Sequence, residues 1–133
     1  MRRAHFAVTA ALLVTACATV EAKTGYLLGT WGGAHIGIRF EGGLANVELD
    51  CASGTIDGPV YPGNDGAFNA NGVFRAGMGG PVRVGQIFKS QKASYSGTVA
   101  KDVMTLSIRI EDGTVTGPYT LVQGAPPQLT RCL

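Results

Sequence analysis

The chain has 133 residues, of which 45% are hydrophobic and 15% charged. This length suffices for one domain with a single core but not for two. The formal net charge is only +2 and no long basic run is present, so we expect no nucleic-acid partner.

Residues 1–16 have the pattern of a secretory signal peptide. Arg2 and Arg3 give a positive start, and an apolar run from Phe6 to Val14 follows. This run is too short to span a membrane, which takes about 20 apolar residues. Removal of residues 1–16 leaves nine Lys and Arg against nine Asp and Glu. We therefore predict an exported protein whose working part carries no formal net charge.

The leader ends in the stretch VTAC, which closes at Cys17. This stretch resembles the lipobox of bacterial lipoproteins, in which a branched or Leu residue and two small residues precede the lipidated cysteine. The resemblance implies acylation of Cys17 and cleavage after Ala16, and several acyl chains anchor a protein stably to a membrane. The alternative is an ordinary cleavage site with an incidental cysteine. Residues 17–24 then form the lipidated cysteine and a polar tether, and Ala18, in the place of an Asp, favours the outer membrane.

Assignment of Cys17 to lipid leaves Cys51 and Cys132 as an even pair. An oxidising periplasm allows these two cysteines to form a disulfide, which would tie the end of the chain to an early strand. A redox or nucleophilic Cys51 is the alternative, but such a cysteine needs a device that lowers its pKa, for example a C-x-x-C spacing. The chain has no such spacing. We therefore predict a structural disulfide.

Alternation of apolar and polar residues recurs along the rest of the chain, and helical periodicity is absent. Three segments show the alternation best, with inward sets Ile36, Ile38 and Phe40, then Val47, Leu49 and Cys51, and then Met104, Leu106, Ile108 and Ile110. These sets predict half-buried strands. Weaker strands are predicted at 54–57, 67–76, 93–100, 116–123 and 128–132.

Short turn sequences separate many of these strands. Hairpin turns are predicted at Gly32-Gly33, Gly42-Gly43, Lys101-Asp102 and Asp112-Gly113. Residues 58–66 and 77–92 are predicted loops, the second with a short strand at 82–84. About eight sequential antiparallel strands predict that residues 25–133 form one all-β domain, an up-and-down β-barrel, because closure removes exposed sheet edges. A two-sheet β-sandwich is the alternative.

The first strand begins with Gly29-Thr30-Trp31. This start is similar to the Gly-x-Trp start of lipocalins and to the Gly-Thr-Trp start of avidin-like barrels. The resemblance implies a barrel, in these families one that binds small apolar or amphipathic ligands. In lipocalins a basic residue from near the chain end covers the Trp, so the resemblance also implies a cation–π contact between Trp31 and Arg131.

A second resemblance extends over most of the chain beyond the leader. GTWGGAHIGI, DCASGTI, GGPVRVG, YSGTV and the terminal RCL resemble the pattern of a family of small bacterial lipoproteins of uncharacterised function. This resemblance implies the envelope address and the barrel, and it implies no activity.

Catalytic chemistry is not expected. His35 is the one histidine that remains after processing, and a triad would need it together with one of Ser53 or Cys51 and one of Asp50 or Asp57. The alternation places His35 on the polar face of its strand. Glu48 and Asp50 are a second candidate, as paired carboxylates, although outward acids on a strand usually serve solubility. We expect no cofactor and no metal, because one histidine and two paired cysteines cannot supply four zinc ligands.

The sequence thus predicts a lipid-anchored protein of the bacterial cell envelope that faces the periplasm. Its predicted role is that of a small binding or protein-interaction module. The predicted partners are the membrane, through the N-terminal acyl chains, and either a small apolar ligand or an envelope protein. The alternative is a structural lipoprotein with a packed barrel and no ligand, and a third hypothesis is an inhibitor of an enzyme that attacks the envelope.

Overall fold

The computed structural model describes residues 25–77, 89–130 and 132. They form eight strands: β1 (Gly29–Gly33), β2 (Ile36–Phe40), β3 (Leu44–Leu49), β4 (Ala52–Asp57), β5 (Ala67–Ala76), β6 (Ser90–Ala100), β7 (Val103–Ile110) and β8 (Val115–Gln123). In this part of the chain no helix has the length and apolar character needed to cross a membrane. The leader, Cys17, the tether, the short strand at 82–84 and Arg131 lie outside the described residues.

The eight strands form a closed barrel. Each strand pairs antiparallel with the next one along the chain, and β8 pairs antiparallel with β1 through Trp31↔Gln123 and Gly33↔Leu121. The predicted up-and-down β-barrel is confirmed, and the alternative of a β-sandwich is wrong. Closure is favourable because every strand has a paired neighbour on both sides, so no strand is an open edge of the sheet.

The predicted inward residues form the core. Ile36, Ile38 and Phe40 of β2 are buried, as are the four predicted residues of β7 and both Val47 and Leu49 of β3. Burial of side chains of this size contributes about 1.5 to 3 kcal/mol each. Cys51 departs from the prediction: β3 ends at Leu49, and Cys51 lies exposed in the following turn with a φ of 60°.

Three of the four predicted hairpin turns are confirmed, at Gly42-Gly43, Lys101-Asp102 and Asp112-Gly113. The turn at Gly32-Gly33 is wrong, because both glycines belong to β1 and the chain turns at Ala34 and His35. His35 has a φ of 70°, in the left-handed region that histidine enters more readily than most residues. Gly33 lies against the Thr120 carbonyl of β8, where a Cβ has no room, so close strand packing explains this glycine.

The last segment of the chain is not the predicted strand at 128–132. After β8, residues 125–130 fold back across the outer surface of β1 and β2, and we call them, together with Cys132, the C-terminal strap. Gln128 forms a single parallel bridge with Ala34. Pro126 and Pro127 have no backbone N–H to donate, so this segment cannot build a regular ladder.

Tyr95 of β6 is fully buried in the barrel and keeps its hydroxyl satisfied. The hydroxyl donates a 2.7 Å hydrogen bond to the Val73 carbonyl. Gly54 of β4 makes room for it, because a Cβ at that position would overlap the tyrosine oxygen. Burial raises the pKa of Tyr95 to about 12, while nearby Arg75 has a smaller opposite effect.

Alkaline pH is therefore expected to destabilise the barrel through Tyr95. Tyrosine in the unfolded chain ionises at about pH 10, whereas folded Tyr95 keeps its proton until about pH 12. The contribution of Tyr95 to the free energy of unfolding is therefore complete below about pH 10 and is lost as the pH rises towards about 12. Between about pH 9 and about pH 11 the wild type is expected to lose about 1 to 2 kcal/mol more than Tyr95→Phe. Urea unfolding monitored by circular dichroism measures this, with Tyr61→Phe as the exposed control. Equal losses in all three proteins would contradict the assignment.

Candidate functional site

The interior of the barrel is filled by its own side chains. Ten large inward side chains are no more than 2% exposed: Trp31, Tyr95, Ile36, Ile38, Ile56, Met104, Leu106, Ile108, Leu121 and Val47. A side chain beside a space large enough for water would keep accessible surface, so the space around these ten is closed. The described residues thus place the candidate functional groups on the outside and at the two ends.

The barrel has a proximal end, where residues 25–28 lead into β1, and an opposite, distal end. Eight large apolar side chains are exposed in the described part of the chain, and Val115 and Leu129 lie towards the distal end. The other six lie at the proximal end, and we call them the apolar rim: Tyr26, Leu28, Leu44, Tyr61, Val103 and Val122. Single exposed apolar side chains are normal, whereas a cluster at one end of a molecule indicates a contact surface.

Two tyrosines of the apolar rim are in contact with each other. Their rings pack edge to face, with centroids 5.8 Å apart, although Tyr61 is 63% exposed and Tyr26 is 41% exposed. The Leu27 N–H donates a 2.9 Å hydrogen bond to the Val60 carbonyl, and this bond fixes the segment before β1 to the β4–β5 loop. Leu27 and Val60 are both buried, so the two tyrosines stand on an ordered base.

At the distal end the Asp50 carboxylate joins two turns to the C-terminal strap. The backbone N–H of Thr130 donates to Oδ1 at 2.6 Å, and His35 Nδ1 donates to Oδ2 at 2.5 Å. The hydrogen bond from Thr130, followed by the contact with His35, lowers the pKa of Asp50 below its ordinary value. Because the pKa is lowered, the contact is present at neutral pH and is lost only as the pH falls through that lowered value.

The two cysteines meet beside this carboxylate. The Cα atoms of Cys51 and Cys132 are 5.2 Å apart, within the range of disulfides, although 81 positions separate the residues in sequence. The predicted pair is therefore at disulfide distance. Both residues are exposed at the surface of the barrel end.

The candidate catalytic residues come together only in part. His35 contacts Asp50, but its side chain is 62% exposed, and in the described part of the chain no hydroxyl or thiol hydrogen-bonds to it. Asp50 lies in a turn with both oxygens engaged, so it does not continue the face of Glu48 on β3. Within residues 25–77, 89–130 and 132, no group of three His, Cys, Asp or Glu side chains is arranged for a metal ion.

Two of the three residues of the predicted barrel signature, Gly29 and Trp31, lie among the described residues. Gly29 begins β1 with a φ of 83°, and Trp31 is buried, with its indole N–H donating a 3.3 Å hydrogen bond to the Leu28 carbonyl. The predicted contact between Trp31 and Arg131 involves a residue outside the described ones and stays a prediction.

Sequence reasoning pointed to the loop at 58–66 as a contact surface but missed the apolar rim, to which this loop contributes only Tyr61. Tyr61 lies in the stretch GPVYPGND, which the prolines and glycines mark as a loop. A loop tyrosine gives no periodic signal, and its nearness to Tyr26 depends on the barrel bringing two distant segments to one end. The signal that was available is the occurrence of an aromatic side chain among turn residues.

Comparisons with protein-family models, with curated proteins and with solved structures give no match to this chain. The resemblances to bacterial lipoproteins and to lipocalin and avidin-like barrels therefore rest on the sequence motifs alone.

Proposed function

We propose that this protein is a lipid-anchored lipoprotein of the bacterial cell envelope that binds an envelope protein through its apolar rim. The leader and the lipobox-like stretch ending at Cys17 support the anchor. The observation that carries the binding role is the gathering of exposed apolar side chains at the proximal end of a barrel with a packed interior.

The tether limits the distance between the membrane and the proximal end of the barrel. Residues 17–25 span at most about 28 Å when extended, because a chain covers about 3.3 to 3.6 Å per residue. The apolar rim lies at the same end of the barrel as residues 25–28, which connect the tether to β1. A protein held in this way meets partners that lie in or next to the same membrane.

Charge favours a protein over an anionic lipid surface as the partner. Among the described residues, four exposed acids and two exposed bases lie at the proximal end: Glu41, Asp57, Asp65, Asp102, Arg39 and Lys101. An acidic excess is repelled by anionic lipid headgroups, which attract basic clusters. Exposed tyrosines with a polar surround are, by contrast, the typical centre of a protein interface.

A photoreactive residue at position 61 tests this proposal. In intact envelopes we expect one discrete protein adduct from position 61 and none from position 115, an exposed valine position near the distal end. The partner identified from that adduct, once purified, is expected to bind Tyr61→Ala and Tyr26→Ala at least about 10-fold more weakly than the wild type, as for aromatic anchors of interfaces. Val115→Ala serves as the matched control and is expected to bind normally.

Three outcomes would overturn the proposed role. Adducts with lipid only would identify the rim as a membrane contact, and adducts with a second copy of the chain would identify it as a self-association surface. Equal labelling from positions 61 and 115 would mean that the rim has no partner.

A structural role without a partner is the second candidate, and the packed interior favours it over a carrier of small ligands. This candidate predicts that substitutions in the apolar rim leave the envelope unaffected, whereas loss of the anchor at Cys17 does not. Inhibition of an enzyme that attacks the envelope is a special case of the proposed role, in which the protein captured at position 61 is that enzyme. Catalysis by the barrel itself is not proposed.

A further inference from the structure

The C-terminal strap lies on the barrel without becoming part of it. The Gly124 N–H donates to the Thr30 carbonyl at 2.7 Å, and the strap then runs towards the distal end, where the Gln128 N–H donates to the Gly33 carbonyl at 3.0 Å. The His35 N–H donates in turn to the Gln128 carbonyl at 2.8 Å. Between Ala125 and Thr130 only Ala125 is even half-buried. A segment with so few buried apolar contacts has a low local stability of its own.

Two outward glycines form the seat of the strap. Gly32 of β1 and Gly37 of β2 are cross-strand partners. A Cβ on Gly32 would overlap the Ala125 carbonyl, and a Cβ on Gly37 would lie 2.6 Å from Pro127 Cβ. Neither glycine has a positive φ, so the strap is the feature of the structure that explains the missing side chains.

Two contacts hold the far part of the strap, and both come from the β3–β4 turn. The Asp50 carboxylate accepts the Thr130 N–H, and Cys51 lies at disulfide distance from Cys132. Both cysteines are exposed, unlike the buried, inert sulfurs of many structural disulfides. A thiolate can therefore reach the bond without the barrel unfolding.

We propose that the strap is a redox-released latch: a dithiol reductant opens the Cys51–Cys132 bond, the strap leaves the barrel, and the glycine seat on β1 and β2 becomes accessible. In the first step a thiolate of the reductant attacks one sulfur, a mixed disulfide forms, and the other sulfur leaves as a thiolate that takes up a proton. The second thiol of the reductant then displaces the first protein sulfur. The reductant ends as a disulfide and the protein gains two electrons and two protons.

The barrel is expected to survive this reaction because the strap contributes nothing to its core. The strands close through β1 and β8, upstream of the strap. Reduction removes the covalent hold, and the Asp50 hydrogen bond and the Gln128 bridge remain as exposed contacts. The proposal uses the described contacts alone and does not depend on the apolar rim or on lipidation.

Hydrogen exchange of the purified protein tests the latch. In the oxidised form the amides of Gln128 and Thr130 are expected to be protected. With dithiothreitol they are expected to exchange at least about 100-fold faster and to approach the rate of an unstructured peptide, while amides of β6 and β7 keep protection factors of at least about 1000. Strap amides that stay as protected as those of β1 would overturn the proposal. Loss of protection throughout the barrel would also overturn it, because the disulfide would then hold the whole fold.

Variants of two aspartates in turns, Asp50 and Asp112, distinguish the contribution of the Asp50 hydrogen bond from that of the disulfide. Asp50→Ala in the oxidised form is expected to deprotect the Thr130 amide and to leave the Gln128 amide protected. Asp112 is the matched control, since it accepts a 2.8 Å hydrogen bond from the Thr114 N–H within the β7–β8 turn. Asp112→Ala is expected to leave strap exchange unchanged in both redox states. Equal effects of the two substitutions would show that the Asp50 contact has no specific role in the latch.

Discussion

Replacement of Trp31 by Ala is expected to lower the free energy of unfolding by about 3 to 5 kcal/mol, a large share of the stability of a small domain. Trp31 is 2% exposed and stands on β1, the strand that closes the barrel with β8. Removal of the indole leaves a cavity between the first and last strands and deprives the Leu28 carbonyl of its 3.3 Å donor. Urea unfolding monitored by far-ultraviolet circular dichroism measures the loss, because Trp31 is the sole tryptophan and fluorescence disappears with it.

Two further variants show whether the loss comes from packing at the closure of the barrel. Trp31→Phe retains most of the apolar bulk and is expected to cost clearly less than Trp31→Ala. Val115→Ala removes a side chain that is 54% exposed and is expected to change stability by no more than about 0.5 kcal/mol. A Trp31→Ala protein as stable as the Val115→Ala protein would contradict the role of Trp31 as a core residue.

The barrel could be predicted because local signals agree along most of the chain. In β7 the alternation of Met104, Leu106 and Ile108 with polar residues indicates a half-buried strand, and the turn at Lys101-Asp102 gives the hairpin that precedes it. Strands joined by short turns pair with their neighbours, so the meander follows from the order of the elements. The closure of β1 on β8 then follows from the cost of leaving sheet edges open.

The features that sequence missed depend on contacts between distant parts of the chain. Gly32 and Gly33 have the composition of a hairpin turn, but the strap and β8 approach them so closely that no side chain fits. The turn therefore moves to Ala34 and His35. The alternation of apolar and polar residues also predicts Cys51 as an inward residue of β3, although the strand ends at Leu49. Alternation alone does not show where a strand ends.

The candidate functional sites also include some that local sequence predicts and others that depend on contacts between distant parts of the chain. The nearness of Cys51 and Cys132 could be predicted without any knowledge of geometry, from the even number of cysteines that remains when Cys17 is assigned to a lipid. The contact between His35 and Asp50 is one of several predicted catalytic combinations, and in the structure Asp50 also accepts the Thr130 N–H of the strap. The apolar rim has no counterpart in the alternation, because loops and strand ends at one end of a barrel come from segments far apart in sequence.

Loss of the predicted disulfide between Cys51 and Cys132 is expected to have the second large effect on stability. The Cys51→Ala/Cys132→Ala double variant is expected to unfold with about 2 to 4 kcal/mol less free energy than the oxidised wild type, because the bond restricts the unfolded chain over a separation of 81 positions. The same restriction predicts a larger change for this variant than for substitutions of the half-buried Asp50. Urea unfolding with and without dithiothreitol measures the effect.

The redox dependence of the two proteins distinguishes a formed disulfide from two nearby thiols. Dithiothreitol is expected to bring the wild type close to the double variant and to leave the double variant unchanged, since that variant keeps no cysteine in the barrel domain. Both proteins are expected to retain the circular dichroism spectrum of the barrel, because the bond joins the strap to a turn and crosses no strand pair. An identical unfolding midpoint of the wild type with and without reductant would mean that Cys51 and Cys132 do not form the bond. In that case the hydrogen bonds at Asp50 and Gln128 would be the described contacts that hold the strap near its far end.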